Sequence, residues 1–194
     1  MNTDISVDID PDEIALIQKA KSGDRTGFNQ IVLLYQKQVY RFARRLLNSH
    51  DDADDVTQEV FIRLYNSISG FRGESKLSTY IYRITYNLSI NHLKKYSKSL
   101  KLHTDLDDGN LASVKSDYNP EVDFEKSEKE KLVRNACNAL PDKQKAIFNL
   151  RFYENLTYEE IAKITGKSLG GVKANYFHAF KKIEAKIKKS KYFI

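Results

Sequence analysis

One cysteine, three prolines and eight glycines are all that this 194-residue sequence holds of the residues that staple, break or punctuate a chain. A lone Cys137 cannot form an internal disulfide or a multi-cysteine metal site. It lies in an amphipathic stretch, where a free cysteine behaves as a small hydrophobe, so it is expected in a core. No apolar run exceeds residues 31–35, far short of the roughly 20 residues that cross a bilayer. The first thirteen residues hold Asp4, Asp8, Asp10, Asp12 and Glu13 but no lysine or arginine, the reverse of a signal-peptide start. The chain is therefore expected to stay in the cytoplasm without membrane insertion. His50, His92, His103 and His178 are scattered, and no activated cysteine or serine constellation is visible. Gly170-Gly171-Val172-Lys173 lacks the upstream spacing of a phosphate loop. No catalytic residue, cofactor or metal is expected.

What the sequence does hold is charge and helical periodicity. Hydrophobic residues make up 41% and charged residues 30%, with 32 bases against 26 acids and a net charge of +6. That supports one ordinary domain or two small ones with real cores. The charge is segregated. Residues 104–130 carry nine acids (Asp105, Asp107, Asp108, Asp117, Glu121, Asp123, Glu125, Glu128 and Glu130) against Lys115, Lys126 and Lys129, a net of −6. With −5 on the first thirteen residues, the rest of the chain holds +17, in one block before the acidic segment and another after it. Lysine-rich solvated helices are common, and lysine outnumbers arginine 23 to 9 here. Clustering into two blocks nevertheless points to a polyanion partner, nucleic acid above all.

Apolar positions recur every three or four residues, so the chain reads as nearly all helix. Asp10 can cap a first helix that has Pro11 at its first position and acids in its first turn, and Gly23 ends it. A second helix over about 25–48 places Phe28, Ile31, Tyr35, Val39, Phe42 and Leu46 on one stripe. A third, about 51–68, places Ala53, Val56, Val60, Leu64 and Ile68 together. Ser75 is expected to cap a fourth that runs to about Lys98, with Leu77, Ile81, Ile84, Leu88 and either Asn91 or His92 inward. These four can bury one another as a bundle. From about residue 100 the periodicity gives way to Gly, Asn, Ser and Asp, as in a linker. Pro120 can open a further helix through Leu132, Val133, Ala136 and Leu140, and Pro141 another through Ile147 and Leu150. Thr157-Tyr158-Glu159-Glu160 is a capping box. It opens a short helix that stops at Gly166, and Ser168 caps a final helix with Val172, Tyr176, Ala179, Ile183 and Ile187 inward. Helix, glycine turn and helix of these lengths fit a helix-turn-helix.

The final helix presents Lys173, Asn175, His178, Lys181, Lys182, Lys186, Lys188 and Lys189. In a helix-turn-helix the first turns of the second helix meet base edges, which Asn and Lys suit, and later cations meet phosphates. The alternative is a solvated C-terminal helix. His50-Asp51-Asp52-Ala53-Asp54-Asp55 invites a metal-site reading, yet acids in a first helical turn are favoured by the helix dipole alone. Gln58, Glu59, Arg63 and Tyr65 on the outer side of that helix suit a partner protein. The stretch with Phe71, Arg72, Tyr80, Tyr82, Arg83, Tyr86, Asn87, Asn91, Lys94 and Lys95 alternates rings with cations, as single-stranded nucleic acid requires, although helical tyrosines are otherwise usually half-buried packing residues.

The runs Asp51-Asp52-Ala53-Asp54-Asp55-Val56-Thr57-Gln58-Glu59-Val60-Phe61, Phe71-Arg72-Gly73-Glu74-Ser75 and Ser78-Thr79-Tyr80-Ile81-Tyr82-Arg83-Ile84 resemble region 2 of bacterial extracytoplasmic-function sigma factors. Leu140-Pro141, Thr157-Tyr158-Glu159-Glu160-Ile161-Ala162 and Gly171-Val172-Lys173 resemble their region 4. The resemblance implies an all-α protein of two small helical domains joined by a flexible acidic linker, the C-terminal one a helix-turn-helix. Residues 1–99 would be region 2, 100–124 the linker and 125–194 region 4. Such a protein binds RNA polymerase core, directs promoter-specific initiation and is not itself an enzyme. Asp51, Asp54, Asp55, Gln58, Glu59 and Phe61 would meet the clamp helices of the largest polymerase subunit, and region 4 the flap of the second. Phe71, Arg72, Ser75, Thr79, Tyr80, Arg83, Asn87, Asn91 and Lys94 would melt and hold the −10 element. Tyr80 stands where the family usually has tryptophan, and Asn87 at a family position near the flipped base. Ser168, Gly171, Lys173, Asn175, His178, Lys181 and Lys182 would read the −35 element of promoter DNA, with Asn175 replacing a common arginine. The linker would follow the RNA path of the polymerase, and an anti-sigma factor would hold the protein inactive. A self-sufficient helix-turn-helix repressor or activator is the alternative, and it would leave the ring-and-cation helix without a role. An enzyme using the Asp51 to Asp55 cluster is a more distant one.

Overall fold

A computed structural model of the chain describes residues 11–104 and 128–190. Among them the chain forms eight α-helices, one 3-10 turn and no strand. The cap expected at Asp10, the helix start at Pro120 and most of the linker lie outside the described residues.

Helix α1, Pro11–Lys21, begins with Pro11 and the acids Asp12 and Glu13, and Gly23 reverses the chain at φ +87°. Helix α2, Arg25–Leu47, is capped by Asp24, which accepts from the Thr26 N–H at 2.8 Å. Bonds from the Thr26 hydroxyl and N–H hold the Asp24 carboxyl below its ordinary value. Asn48, at φ 62°, closes α2. Ser49 then caps α3, His50–Ser67, by accepting from the Asp52 N–H at 3.2 Å. A 3-10 turn, Ile68–Gly70, leads toward α4, Leu77–Thr104. Helix α4 starts two residues after Ser75, whose hydroxyl donates to the Lys76 carbonyl at 3.4 Å. Ser75 is thus not the cap, and the helix runs six residues past the expected end at Lys98 into the segment read as linker.

These four helices bury a bundle core of Ile17, Ile31, Val39, Val60, Leu64, Leu77 and Ile81. Gly27 lets α1 cross α2 closely, since a Cβ there would stand 2.5 Å from Lys19 Cβ. The second body comprises α5, Glu128–Asn138, α6, Asp142–Phe152, α7, Tyr158–Thr165, and α8, Leu169–Lys188. Ala136, Leu140, Phe148, Ala179 and Ile183 form its core with Cys137, where burial raises the thiol to about 11. Phe148 stacks on Tyr176 with ring centroids 5.9 Å apart.

A third core joins the two bodies. Phe42 and Leu46 of α2 and Tyr82, Tyr86 and Ile90 of α4 pack with Ala146, Ile147 and Leu150 of α6, Ile161 and Ile164 of α7, and Val172 of α8. Helix α4 is therefore buried along two faces. This corrects the single inward stripe expected for it: Ile84 and Leu88 are half-buried, while Tyr82 and Tyr86 are buried.

Candidate functional site

The helix-turn-helix is built as its caps prescribe. Thr157 Oγ1 accepts from the Glu160 N–H at 3.2 Å while Glu160 Oε2 accepts from the Thr157 N–H at 2.8 Å, a complete capping box. Gly166 turns the chain at φ 66°, and Ser168 Oγ accepts from the Gly171 N–H at 3.1 Å to open α8. Val172, Ala179 and Ile183 anchor α8. That leaves Lys173, His178, Lys181 and Lys182 exposed on one continuous surface. Their surface pairings are weak ones that a phosphate can replace: Lys181 Nζ lies 3.2 Å from Glu184, and Lys182 donates to Gln144 Oε1 at 3.0 Å. Lys188 and Lys181 together hold the half-buried Glu184 carboxyl below its ordinary value. Asn175 differs from the rest. It is half-buried, and its Nδ2 donates to the Gly171 carbonyl at 2.7 Å.

On the opposite body, α3 shows a mixed acidic and apolar face. Asp51, Asp55 and Gln58 are exposed, and Asp54, Glu59 and Phe61 half-buried. Asp54 lies 3.5 Å from His50, and Asp52 3.4 Å from His92. Beside them Phe28, Val32 and Gln36 of α2 and Thr57, Gln58, Phe61, Ile62, Tyr65 and Asn66 of α3 line an open apolar groove of about 560 Å³. Phe28 meets Tyr65 edge-on at 5.0 Å, while Leu33, Leu34 and Ile62 are more than half exposed. Periodicity assigned Phe28 to the core stripe and did not single out Val32 or Ile62, because a groove between two helices is a property of their packing.

The residues assigned to the −10 element fall into two groups. Phe71 and Thr79 are buried, and Ser75 and Tyr80 half-buried. The Tyr80 ring lies 5.4 Å from that of Phe71, and its hydroxyl donates to Ser67 Oγ at 3.0 Å. Arg72, Arg83, Asn87, Asn91 and Lys94 are exposed. Arg83 and Asn87 face the second body, lining a cleft of about 570 Å³ with residues 162–167 at the end of α7 and its glycine turn. Of the rings read as alternating with cations, Tyr82 and Tyr86 are core residues in this arrangement.

Residues 31–99 match the family model of Sigma-70 region 2, and residues 130–183 that of Sigma-70, region 4. The ECF RNA polymerase sigma-E factor of Haemophilus influenzae is 35% identical, over 89% of this chain and 94% of its own. The chain belongs to the extracytoplasmic-function sigma factors. Similar relatives include the sigma-E factor of Escherichia coli, 32% identical over 89% of this chain and 92% of its own, and the sigma-H factor of Pseudomonas aeruginosa, 31% identical over 87% and 90%. Two solved structures share the fold. One is the sigma factor RpoE of Bartonella quintana in complex with the anti-sigma factor NepR, at TM-score 0.66 and 21% identity, covering 84% of this chain and 98% of that one. The other is CnrH in complex with the cytosolic domain of CnrY, at TM-score 0.68 and 20% identity, covering 93% and 100%.

In this sigma factor the two matched regions are clasped by a polar seam beside their shared core. Glu154, after α6, receives both the Arg45 guanidinium and the Tyr82 hydroxyl, the latter at 2.5 Å. Arg45 also lies 4.5 Å over the Tyr153 ring. Burial, then the neighbouring Glu154 carboxylate, pushes the Tyr82 hydroxyl above its ordinary value. Lys145 of α6, only 3% exposed, donates to the Leu46 carbonyl of α2 at 3.0 Å. Burial pulls its ammonium down to about 8. Lys76 lies 3.8 Å from Glu160. No sequence signal marks this seam, since each member is an ordinary polar residue until two distant segments meet. Among the described residues no helix is long and apolar enough to span a membrane.

Proposed function

We propose that the protein acts in the cytoplasm as a promoter-specificity subunit, dividing its contacts between two bodies and catalysing no reaction of its own. The observation that carries this reading is the coexistence in one chain of a basic helix-turn-helix and a separate bundle with an acidic, apolar docking face. A repressor would need the first and leave the second idle. Asp51, Asp54, Asp55, Gln58, Glu59 and Phe61, with the neighbouring groove, dock on the clamp helices of the largest polymerase subunit, and region 4 on the flap of the second. Phe71, Arg72, Ser75, Thr79, Tyr80, Arg83, Asn87, Asn91 and Lys94 capture the melted −10 strand. Ser168, Gly171, Lys173, Asn175, His178, Lys181 and Lys182 engage the −35 duplex. Lys173, His178, Lys181 and Lys182 are exposed, with only surface contacts to give up on reaching DNA, whereas Asn175 is half-buried and must first release the Gly171 carbonyl.

Strand capture needs the closed arrangement to part, because Arg83 and Asn87 line a cleft with α7 and Tyr82 and Tyr86 lie in the shared core. Binding to polymerase would supply the difference in free energy by favouring the open form. An anti-sigma protein that favours the closed form would oppose it; the existence of an anti-sigma partner is supported by the Bartonella quintana neighbour, a sigma factor in complex with one. The deciding experiment adds the purified protein to core polymerase on a promoter selected by that holoenzyme. Runoff transcripts from one defined start are expected, and a stable complex that never initiates specifically defeats the proposal.

A further inference from the structure

The cleft between the two bodies has a basic group on each wall. On α4, Arg83 and Asn87 lie four residues apart and so share a face of the helix. Opposite them stand Lys163, in the last turn of α7, and Lys167, just beyond Gly166. No acid lines the cleft, and among the described residues Arg83, Lys163 and Lys167 form no ion pair. Glu160, one turn before Lys163, is engaged by Thr157 and Lys76. A cation in the last turn of a helix offsets the helix dipole, which accounts for Lys163. It does not account for Arg83, which comes from the other body and converges on the same space. The end of α7 adds a second chemistry. The last carbonyls of a helix lack intrahelical partners, and Gly166 satisfies only that of Ala162, at 2.9 Å. The carbonyls from Lys163 to Thr165 remain as acceptors on residues that line the cleft.

Three converging cations call for several negative charges on one small molecule, which a triphosphate carries and a simple anion does not. Acceptor carbonyls beside them answer the hydroxyls of a ribose or the amino group of a base. A space of about 570 Å³ is of the size that holds such a ligand. We propose that this cleft binds a nucleoside triphosphate, its phosphates held by Arg83, Lys163 and Lys167 and its ribose and base against Asn87 and the end of α7. Because the two walls belong to different bodies, the ligand binds the docked form and stabilises it. A bound nucleotide then withholds Arg83 and Asn87 from the −10 strand and acts as a brake on assembly with polymerase, a consequence that rests on the function proposed above.

The test uses the full-length protein in equilibrium dialysis at matched ionic strength, with ATP, GTP and inorganic tripolyphosphate as probes. At least one nucleotide is expected to bind saturably, and about tenfold more tightly than tripolyphosphate, the ratio that one or two hydrogen bonds to the ribose and base supply. Lys163→Gln combined with Lys167→Gln is expected to lose about tenfold or more in nucleotide affinity. Lys188→Gln combined with Lys189→Gln removes the same charge from the end of α8 and is expected to bind as the wild type does. Nucleotide at about 100 times its Kd is expected to weaken assembly of the wild type with core polymerase by up to about a hundredfold, and to leave assembly of the Lys163→Gln, Lys167→Gln protein unchanged. Tripolyphosphate that binds as tightly as either nucleotide overturns the assignment to a nucleotide. Equal losses in the two double variants mean a diffuse basic surface and overturn the site. Assembly weakened in both proteins, or in neither, overturns the brake. A holoenzyme that forms without added nucleotide yet never initiates specifically defeats the promoter reading and leaves the dialysis result standing.

Discussion

Asn175 and Lys173 lie two residues apart on α8, yet only Lys173 is exposed. Helical spacing shows that both leave the core face. It cannot show that the Asn175 amide bonds back onto the preceding turn, because Gly171 offers a carbonyl at the same spacing as every other residue. Lys173 is exposed and lies 5.8 Å over the Tyr158 ring, a contact it can leave. Lys173→Ala is therefore expected to cost about 1–3 kcal/mol in −35 recognition, the scale of a good base contact, and Asn175→Ala clearly less. Competition binding of holoenzyme variants to promoters differing only upstream measures both, and a larger loss for Asn175→Ala refutes the ranking. Tyr80 is a second case. Its position was legible, but its hydroxyl bond to Ser67 and its tilt against Phe71 were not. If the ring traps melted bases, Tyr80→Ala slows open-complex formation more on duplex than on pre-melted promoter. Equal losses on both would remove it from melting.

At the scale of elements, most boundaries could be read because they have local causes. The capping box at Thr157, the left-handed glycine at 166 and the serine cap at 168 each satisfy backbone groups with residues three or four positions away. Ser75 misled for the same reason: a serine ahead of a helix is a good cap only if the first turn reaches it, and α4 begins at Leu77. The second buried face of α4 was illegible because its partners lie more than fifty residues away, in α6 and α7. Thr157→Ala removes one half of a reciprocal pair and is expected to destabilise the chain by about 0.5–2 kcal/mol, read as a lower urea midpoint with unchanged slope. Thr157→Ser should restore most of it. An unshifted midpoint in Thr157→Ala would show that α7 is held by packing alone.

Across the whole molecule, the charge segregation visible in the sequence suggested two separate DNA-facing bodies, and the structure adds that they are docked through an apolar core with a buried polar seam. Glu154 is the centre of that seam, since its removal strips Arg45 and Tyr82 of a partner at once. Hydrogen bonds to charged groups are each worth about 1.5–3 kcal/mol. Glu154→Ala is therefore expected to shift the chain measurably toward the open form. Fluorophores placed on α3 and α8 report the separation, and an unchanged distance distribution would show that the apolar core alone decides docking.

Lys145 gives the same equilibrium a pH dependence of fixed sign. Docked, its ammonium is buried against the Leu46 carbonyl and titrates near 8, with Asp142 and Cys137 favouring the charge less than burial disfavours it and Arg44 adding to the loss. Undocked, it returns toward the ordinary value of 10.5. Below pH 8 both forms are protonated and docking is indifferent to pH. Between about 8 and 9 the open form binds more protons, so raising the pH strengthens docking by at most about tenfold per unit; nearer the ordinary tyrosine value of 10, Tyr82 and Tyr86, whose hydroxyls burial raises only in the docked form, oppose this trend. Lys145→Met has no titrating group at that position and should give a flat profile between about 8 and 9 in the same distance measurement. Docking that weakens as the pH rises over that range, or a slope that survives in Lys145→Met, would show that another group controls the seam.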